Sequence, residues 1–253
     1  MKLAPAKGDM DHVQKQGGNA RGDEPKIHDS LHTVAYGLAG GLDLVHTAAY
    51  LCRMTTGDHK ARLGRNDWVL AGLRALVRGG IAAVKVEAVA RDIGATKGSF
   101  YWHFKDLSDL HHVMLELWEE LATKAITAAV QGSGLDGRGQ LMLLVDMVSV
   151  QPDAAFGGVE VEPALRDWGR TDPRARAVLE RVDRQRLEDL EGFLRLAGVA
   201  EAELPGKAQL FYAGVIGLEN LRMTTGAEMR PALRALVDSL LRDNPVPPRD
   251  NVT

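Results

Sequence analysis

Cysteine is almost absent: Cys52 stands alone in 253 residues. An intramolecular disulfide and a multi-cysteine zinc site are therefore excluded, and a reducing cytoplasm is the compartment that fits. Charge of one sign is not in excess either. A formal net charge of −3 argues against indiscriminate coating of nucleic acid or an anionic membrane, so any contact with DNA must come from a local patch. A long hydrophobic run is also missing. The most apolar stretch, 31–51, is interrupted by His32, Asp43, His46 and three glycines, Gly37, Gly40 and Gly41, which is too polar for a membrane span, and it does not have a signal-peptide layout. There is no glycine-rich phosphate loop, nucleophile elbow or paired-carboxylate motif, and no enzyme is expected. His111 and His112 are neighbours on an expected helix and so point about 100° apart. With His103 they find no second ligand cluster, so no metal and no cofactor is expected.

Hydrophobic residues make up 45% of the chain, enough for a substantial core. No segment alternates long enough for a sheet, and helical periodicity runs from residue 66 onward. An all-α fold follows. Residues 1–60 are rich in Gly, Asp, Lys and His with patchy apolar content, and read as a poorly ordered or weakly helical extension. Met54 opens a run that resembles a translation start, so the working chain is expected to begin there. Residues 244–253 contain Pro245, Pro247 and Pro248 and form an expected loose tail.

The first helical segment, capped by Asn66, places Val69, Leu73, Leu76 and Val77 on one face and stops at Gly79 and Gly80. A short second helix buries Val86, Val89, Ala90 and Ile93 and ends at Gly94, which can take the left-handed conformation of a tight turn. Thr96 caps a third helix, 97–104, anchored by Phe100 and Phe104 at i, i+4 and presenting Lys97, Ser99, Trp102 and His103 outward. Residues 62–110 carry eight Lys or Arg against five Asp or Glu, a basic module in an otherwise acidic chain. Helix, glycine turn and short helix is a layout that can set one helix in the DNA major groove while the other braces it.

The residues Ala95-Thr96-Lys97-Gly98-Ser99-Phe100-Tyr101-Trp102-His103-Phe104-Lys105 closely resemble the recognition-helix signature of the TetR/AcrR family of transcriptional regulators. The likeness extends upstream from Val86 and downstream to Leu110. It implies an Ω-shaped homodimer with a three-helix DNA-binding head at 62–122, its helix-turn-helix at about 85–104, and an effector-binding and dimerisation body at 123–243. Thr96, Ser99, Tyr101, His103 and Lys105 can donate to phosphate oxygens, and Gly98 allows close backbone approach. Lys97 can donate to guanine, with Thr96 and Trp102 able to meet a thymine methyl. Two departures stand out. Lys85 replaces the family's usual Thr or Ser cap and suits a phosphate contact. Leu107 replaces a common Lys, and Asp106 can cap the fourth helix instead.

That fourth helix is expected over 107–129, with later helices at 135–150, 159–170, 173–197, 206–225 and 229–243. The segment Glu162-Pro163-Ala164-Leu165-Arg166-Asp167-Trp168 also resembles TetR-type bodies. Trp118, Leu121, Met142, Leu143, Met147, Trp168 and Tyr212 are candidate pocket walls for an apolar or aromatic effector, and Asp146 a candidate polar contact to it. Leu210, Phe211, Ala213, Gly214, Ile216, Gly217 and Leu221 are candidates for a four-helix dimer interface. The expected function is a repressor released from a palindromic operator by a small effector. The competing reading is a helical ligand-binding or scaffold protein with a vestigial DNA-binding head.

Overall fold

A computed structural model describes residues 63–150 and 156–242. The expectations placed on 1–60, on a start at Met54 and on the tail at 244–253 lie outside the described residues. Every regular element among the described residues is helical. The head holds α1 (Arg65–Gly79), a 3₁₀ turn (Ile81–Ala83), α2 (Val86–Asp92) and α3 (Lys97–Phe100). The chain then runs through α4 (Leu107–Glu119), a π-helical turn (Glu120–Lys124) and α5 (Ala125–Gln131). The body continues with α6 (Gly137–Ser149), α7 (Val161–Gly169), α8 (Pro173–Leu196), α9 (Leu204–Thr225) and α10 (Met229–Leu240).

The local signals act mostly where the sequence places them. Asp106 caps α4, accepting the Asp109 N–H at 2.9 Å. Asp172 caps α8 by accepting the Arg174 N–H at 2.8 Å, with Pro173 in the first turn, where its missing N–H costs nothing. Helix α1 differs. Its N-cap is Gly64, whose N–H donates to the Asp67 carboxylate at 2.8 Å, so Asn66 lies inside the first turn rather than capping it. Helix α3 is also shorter than expected, because after Phe100 the residues 101–103 continue as a turn.

Two apolar cores form. The first joins Trp68, Leu73, Phe100, Phe104, Leu110 and Trp118 of the head to Leu165, Trp168 and Leu179 of the body. The second gathers Leu141, Val145, Phe193, Phe211, Leu233 and Val237 from α6, α8, α9 and α10. The first core therefore runs across the expected boundary at residue 122, and α1 is buried on nearly every side because it packs against both the head and α7. No helix among the described residues is long and apolar enough to cross a membrane.

The expected continuous helix over 107–129 is interrupted. At Glu120–Lys124 the ladder widens, and the Ala125 N–H bonds to the carbonyl of Glu120, five residues back. A π turn inserts one residue into a helix and is retained only where something else supports it. That support comes from α8 and is described below.

Close backbone approach fixes one glycine. A Cβ on Gly137 would lie 2.2 Å from the Leu196 carbonyl carbon and 2.2 Å from the Ala197 nitrogen, so α6 begins directly against the end of α8. Gly137→Ala is expected to lose on the order of 1–3 kcal/mol or more, as overpacking against main chain does. Gly192, inside α8 with nothing within 4 Å of its would-be Cβ, is expected to gain about 0.5–1 kcal/mol on substitution by Ala. Urea unfolding of both variants checks this, and equal effects would contradict the packing described.

Candidate nucleic-acid interface and the polar centre of the body

The head holds its outer turn on an aromatic base. Phe100 and Phe104 are buried and stack at 5.2 Å, and Trp68 meets Phe100 edge-on at 5.4 Å. Burying a side chain of this size contributes roughly 1.5–3 kcal/mol, which fixes the segment between them. Gly94, at φ +67°, makes the turn from α2. Thr96 then caps α3, its Oγ1 accepting the Ser99 N–H at 3.2 Å.

The residues between these anchors point outward. Trp102 is 88% exposed and Tyr101 55% exposed, so neither is core filling. Thr96, Lys97, Gly98 and Lys105 are exposed, while Ser99 and His103 are half-buried, the His103 ring lying 6.3 Å from Trp68. Lys85 is exposed as the N-cap residue of α2. A Cβ on Gly98 would meet nothing closer than the Thr96 hydroxyl, at 3.8 Å. Lys97 does not stand free: its ammonium donates to the Glu87 carboxylate at 2.6 Å. That bond raises the Lys97 pKa and holds Glu87 below the usual carboxylate range. Hydroxyl, phenol, ammonium and backbone donors thus share an outward-facing surface supported from beneath by packed aromatic rings, and these are groups that can donate to phosphate oxygens and base edges.

Residues 69–111 match the family model described as bacterial regulatory proteins, tetR family. This match lies wholly within the head. The HTH-type transcriptional regulator AcrR of Shigella flexneri is 40% identical over 47 residues, 19% of this chain and 20% of that protein. The chain thus spans about a fifth of the length of the curated relative it matches. The fold as a whole resembles that of solved regulators. A transcriptional regulator from Rhodococcus sp. Rha1 superposes with a TM-score of 0.60 at 18% identity, over 74% of this chain and 100% of that one. A transcriptional regulator from Saccharomonospora viridis, solved in complex with choline, gives 0.59 at 18% identity over 71% and 96%.

The body scatters the residues expected to line a pocket. Trp118 and Trp168 are buried in the first core, with Leu121 at its edge, while Met142, Leu143 and Met147 pack around the second. Asp146 does not point inward. It pairs with Arg234 at 2.8 Å and Arg230 at 3.3 Å and so ties α6 to α10. Tyr212 is buried, and its hydroxyl enters a polar cluster between the two cores.

That cluster was not anticipated. Glu162 and Arg166 of α7, Asp183 and Arg186 of α8 and Tyr212 of α9 converge there. Arg166 donates to Glu162 at 2.7 Å and to Asp183 at 2.8 Å. Arg186 donates to Glu162 at 2.9 Å. The Tyr212 hydroxyl donates to Asp183 at 2.6 Å and accepts from Arg166 at 2.8 Å and from Arg186 at 2.9 Å. Burial pushes Glu162 up, but Arg186 and Arg166 outweigh it and hold its carboxyl below the usual range. Burial raises the Tyr212 phenol to about 12. Removing one partner of such a buried pair costs about 3–5 kcal/mol, whereas replacing the whole pair by apolar groups is often neutral. The cluster therefore specifies an arrangement more than it adds stability. In the sequence its only trace is the i, i+4 spacing of Glu162 and Arg166, which reads equally well as a solvated helix face.

His111 and His112 are likewise placed. The His111 ring lies against Trp168 at 5.2 Å, and burial lowers its pKa. His112 faces Glu116 at 3.2 Å. Among the described residues no group of three His, Cys, Asp or Glu is gathered for a metal.

Helix α9 is apolar on two sides. Phe211 is buried in the second core, and a Cβ on Gly214 would lie 2.8 Å from Leu236 of α10, so these two expected interface residues face into their own subunit. Ile216 is half-buried against the same core. Leu210 and Leu221 are 60% and 50% exposed and, with exposed Ala213 and Gly217, form an outward line.

Glu219, on the same helix, carries a carboxyl raised to about 7, first by burial and next by the charge of Glu162, against the opposing charges of Arg186, Arg222 and Arg166. The folded protein therefore binds this proton more tightly than the unfolded chain does. The stabilisation is full below the unfolded value near 4.5 and is lost as pH rises toward 7. Thermal melts at pH 5 and pH 8 are expected to show this loss in the wild type and a smaller one in Glu219→Gln. Identical pH profiles for the two proteins would refute it.

Proposed function

We propose that this chain is a sequence-specific DNA-binding transcriptional regulator of the TetR type, a homodimeric cytoplasmic repressor that a small-molecule effector releases from a palindromic operator. It acts by binding and carries out no catalysis. The observation that carries this reading is the Thr96-capped turn, which holds Tyr101 and Trp102 in solvent beside Lys97 while Phe100 and Phe104 lock the turn from beneath. A structural helix pair gains nothing by exposing a tryptophan.

In this reading Lys85, Thr96, Ser99, Tyr101, His103 and Lys105 fix the register of the head on phosphate oxygens. The open side of Gly98 lets the backbone come close. Lys97 leaves Glu87 to donate to a guanine edge, and Thr96 and Trp102 meet thymine methyl groups. Two heads must reach half-sites one helical turn apart, about 34–36 Å. The outward line of Leu210, Ala213, Gly217 and Leu221 supports a second copy as its cover, in an isologous four-helix contact. The head comprises residues 62–122 and the body 123–243, the two sharing the first core. The effector is a small molecule with an apolar or aromatic part, held by the body. The choline held by the Saccharomonospora viridis regulator supports a small ligand in a body of this fold. Binding there shifts the orientation of the two heads. The scaffold reading with a vestigial head is disfavoured by the intact set of donors on the turn.

Gel shifts on the DNA flanking this chain's own gene, at two salt concentrations, test the assignment. The wild type is expected to bind a palindrome with steep salt dependence. Lys97→Ala should lose about 1–3 kcal/mol of discrimination between operator and mismatched sites, and loss of a phosphate contact in Tyr101→Ala should weaken all sites alike. Binding that neither substitution alters would sink the proposal. For the dimer, Leu210→Glu combined with Leu221→Glu is expected to sediment as a monomer and to lose operator binding. A dimer that survives both charges would place the interface elsewhere.

A further inference from the structure

The π turn at Glu120–Lys124 sits where the helix leaving the head enters the body, and it is held from α8 by one side chain. Arg186 Nε donates to the Thr123 hydroxyl at 3.0 Å, and Arg186 Nη2 donates to the Ala122 carbonyl at 3.1 Å. Thr123 is almost fully buried, so without Arg186 its hydroxyl would face protein alone. Where a ladder steps from i−4 to i−5 bonding, a carbonyl is passed over by the backbone donors, and a side chain that supplies a donor stabilises the step. Arg186 is itself held by Glu162 and Tyr212, and its guanidinium lies 5.5 Å from the Trp118 ring and 5.7 Å from the Tyr212 ring. The two sides of the turn are pinned by the same helix: Arg181 donates to Glu119 just before it, and Thr127 donates to Asp189 at 2.7 Å just after it.

We propose that Arg186 is a positioning residue that sets the register of the helix joining head to body, by holding the π turn open from the polar cluster between the two cores. The inference rests on the regulator reading above and names the element through which that regulation passes. One residue more or less in a helix rotates everything beyond it by about 100°. Closing the π turn to α geometry therefore cannot be absorbed within the helix, and α4 must turn or slide against the first core, carrying the head with it. The guanidinium fork joins both ends of this chain of contacts. A change at Glu162, Asp183 or Tyr212 moves Arg186, and a movement of Arg186 removes the donors from Ala122 and Thr123. The polar cluster and the head are thus coupled through a two-state element, not through general softness.

Hydrogen exchange on the full-length protein, followed by mass spectrometry, tests this together with operator affinity. Two variants are compared. Arg186→Lys keeps the charge but loses the fork. Thr123→Val leaves the Glu162–Arg186 pair intact and removes only the acceptor on the turn. Both are expected to raise exchange in the 119–126 segment at least tenfold, to leave exchange in α1–α3 unchanged and to weaken operator binding on the order of tenfold. Thr123→Val should do so with little change in melting midpoint, which a merely structural role would not produce. Exchange unchanged in that segment, exchange raised evenly across the body, or operator affinity unchanged with an opened turn would each overturn the proposal. If the wild type binds no DNA, the regulator reading fails, and the exchange pattern alone decides whether Arg186 holds the turn.

Discussion

The pairing of Arg186 with Glu162 is the contact around which the molecule is arranged. Two apolar cores, one continuous with the head and one confined to the body, meet at a seam where charge is buried. A buried arginine is tolerable only if each nitrogen finds an acceptor and the charge finds a carboxylate. Arg186 meets both conditions by reaching three other elements at once, α7 through Glu162, α9 through Tyr212 and the π turn through Thr123 and Ala122. The relative placement of those elements is thereby fixed within hydrogen-bond tolerance, which an apolar seam would leave to shape alone.

The head obeys a different constraint. In its outer part α3 is a single short turn. What gives it one conformation is the aromatic base of Trp68, Phe100 and Phe104, with the Thr96 cap at its start and the Asp106 cap of α4 just after it. Rigid support beneath a polar, solvated surface is what recognition of a fixed surface requires, since no ordering cost remains for binding to meet. The two parts are physically joined because α4 belongs to both. Leu110 and Trp118 lie in the head's core, and the helix continues directly into the π turn that Arg186 holds.

The helices were legible in the sequence because amphipathic periodicity and end signals are local properties. Asp106, and Asp172 with Pro173, mark boundaries that the fold uses. The candidate interface of the head was legible for the same reason: Thr96, Lys97, Tyr101 and Trp102 are contiguous, and the spacing of Phe100 and Phe104 already says which side is buried. The body was harder to read. Asp146 in an apolar helix suggests a ligand contact, yet Arg230 and Arg234, more than eighty residues away along the chain, take it up. Phe211 and Gly214 share an apolar helix with Leu210 and Leu221, but only packing against α10 and the second core separates inward from outward on a helix that is apolar all round.

The sequence by itself determined an all-α chain, the order and approximate ends of its helices, and a tetR-like head with its exposed donors. These are set by the preferences of neighbouring residues and by spacing within one or two turns. Only the tertiary structure decided that Glu162, Arg166, Asp183, Arg186 and Tyr212 form one partly buried cluster, and that the helix from the head passes through a π turn. Both depend on groups brought together from distant parts of the chain. A charged residue's local pattern is the same whether its partner is water or another helix, so burial, the property that gives these residues their role, is not written in the sequence around them.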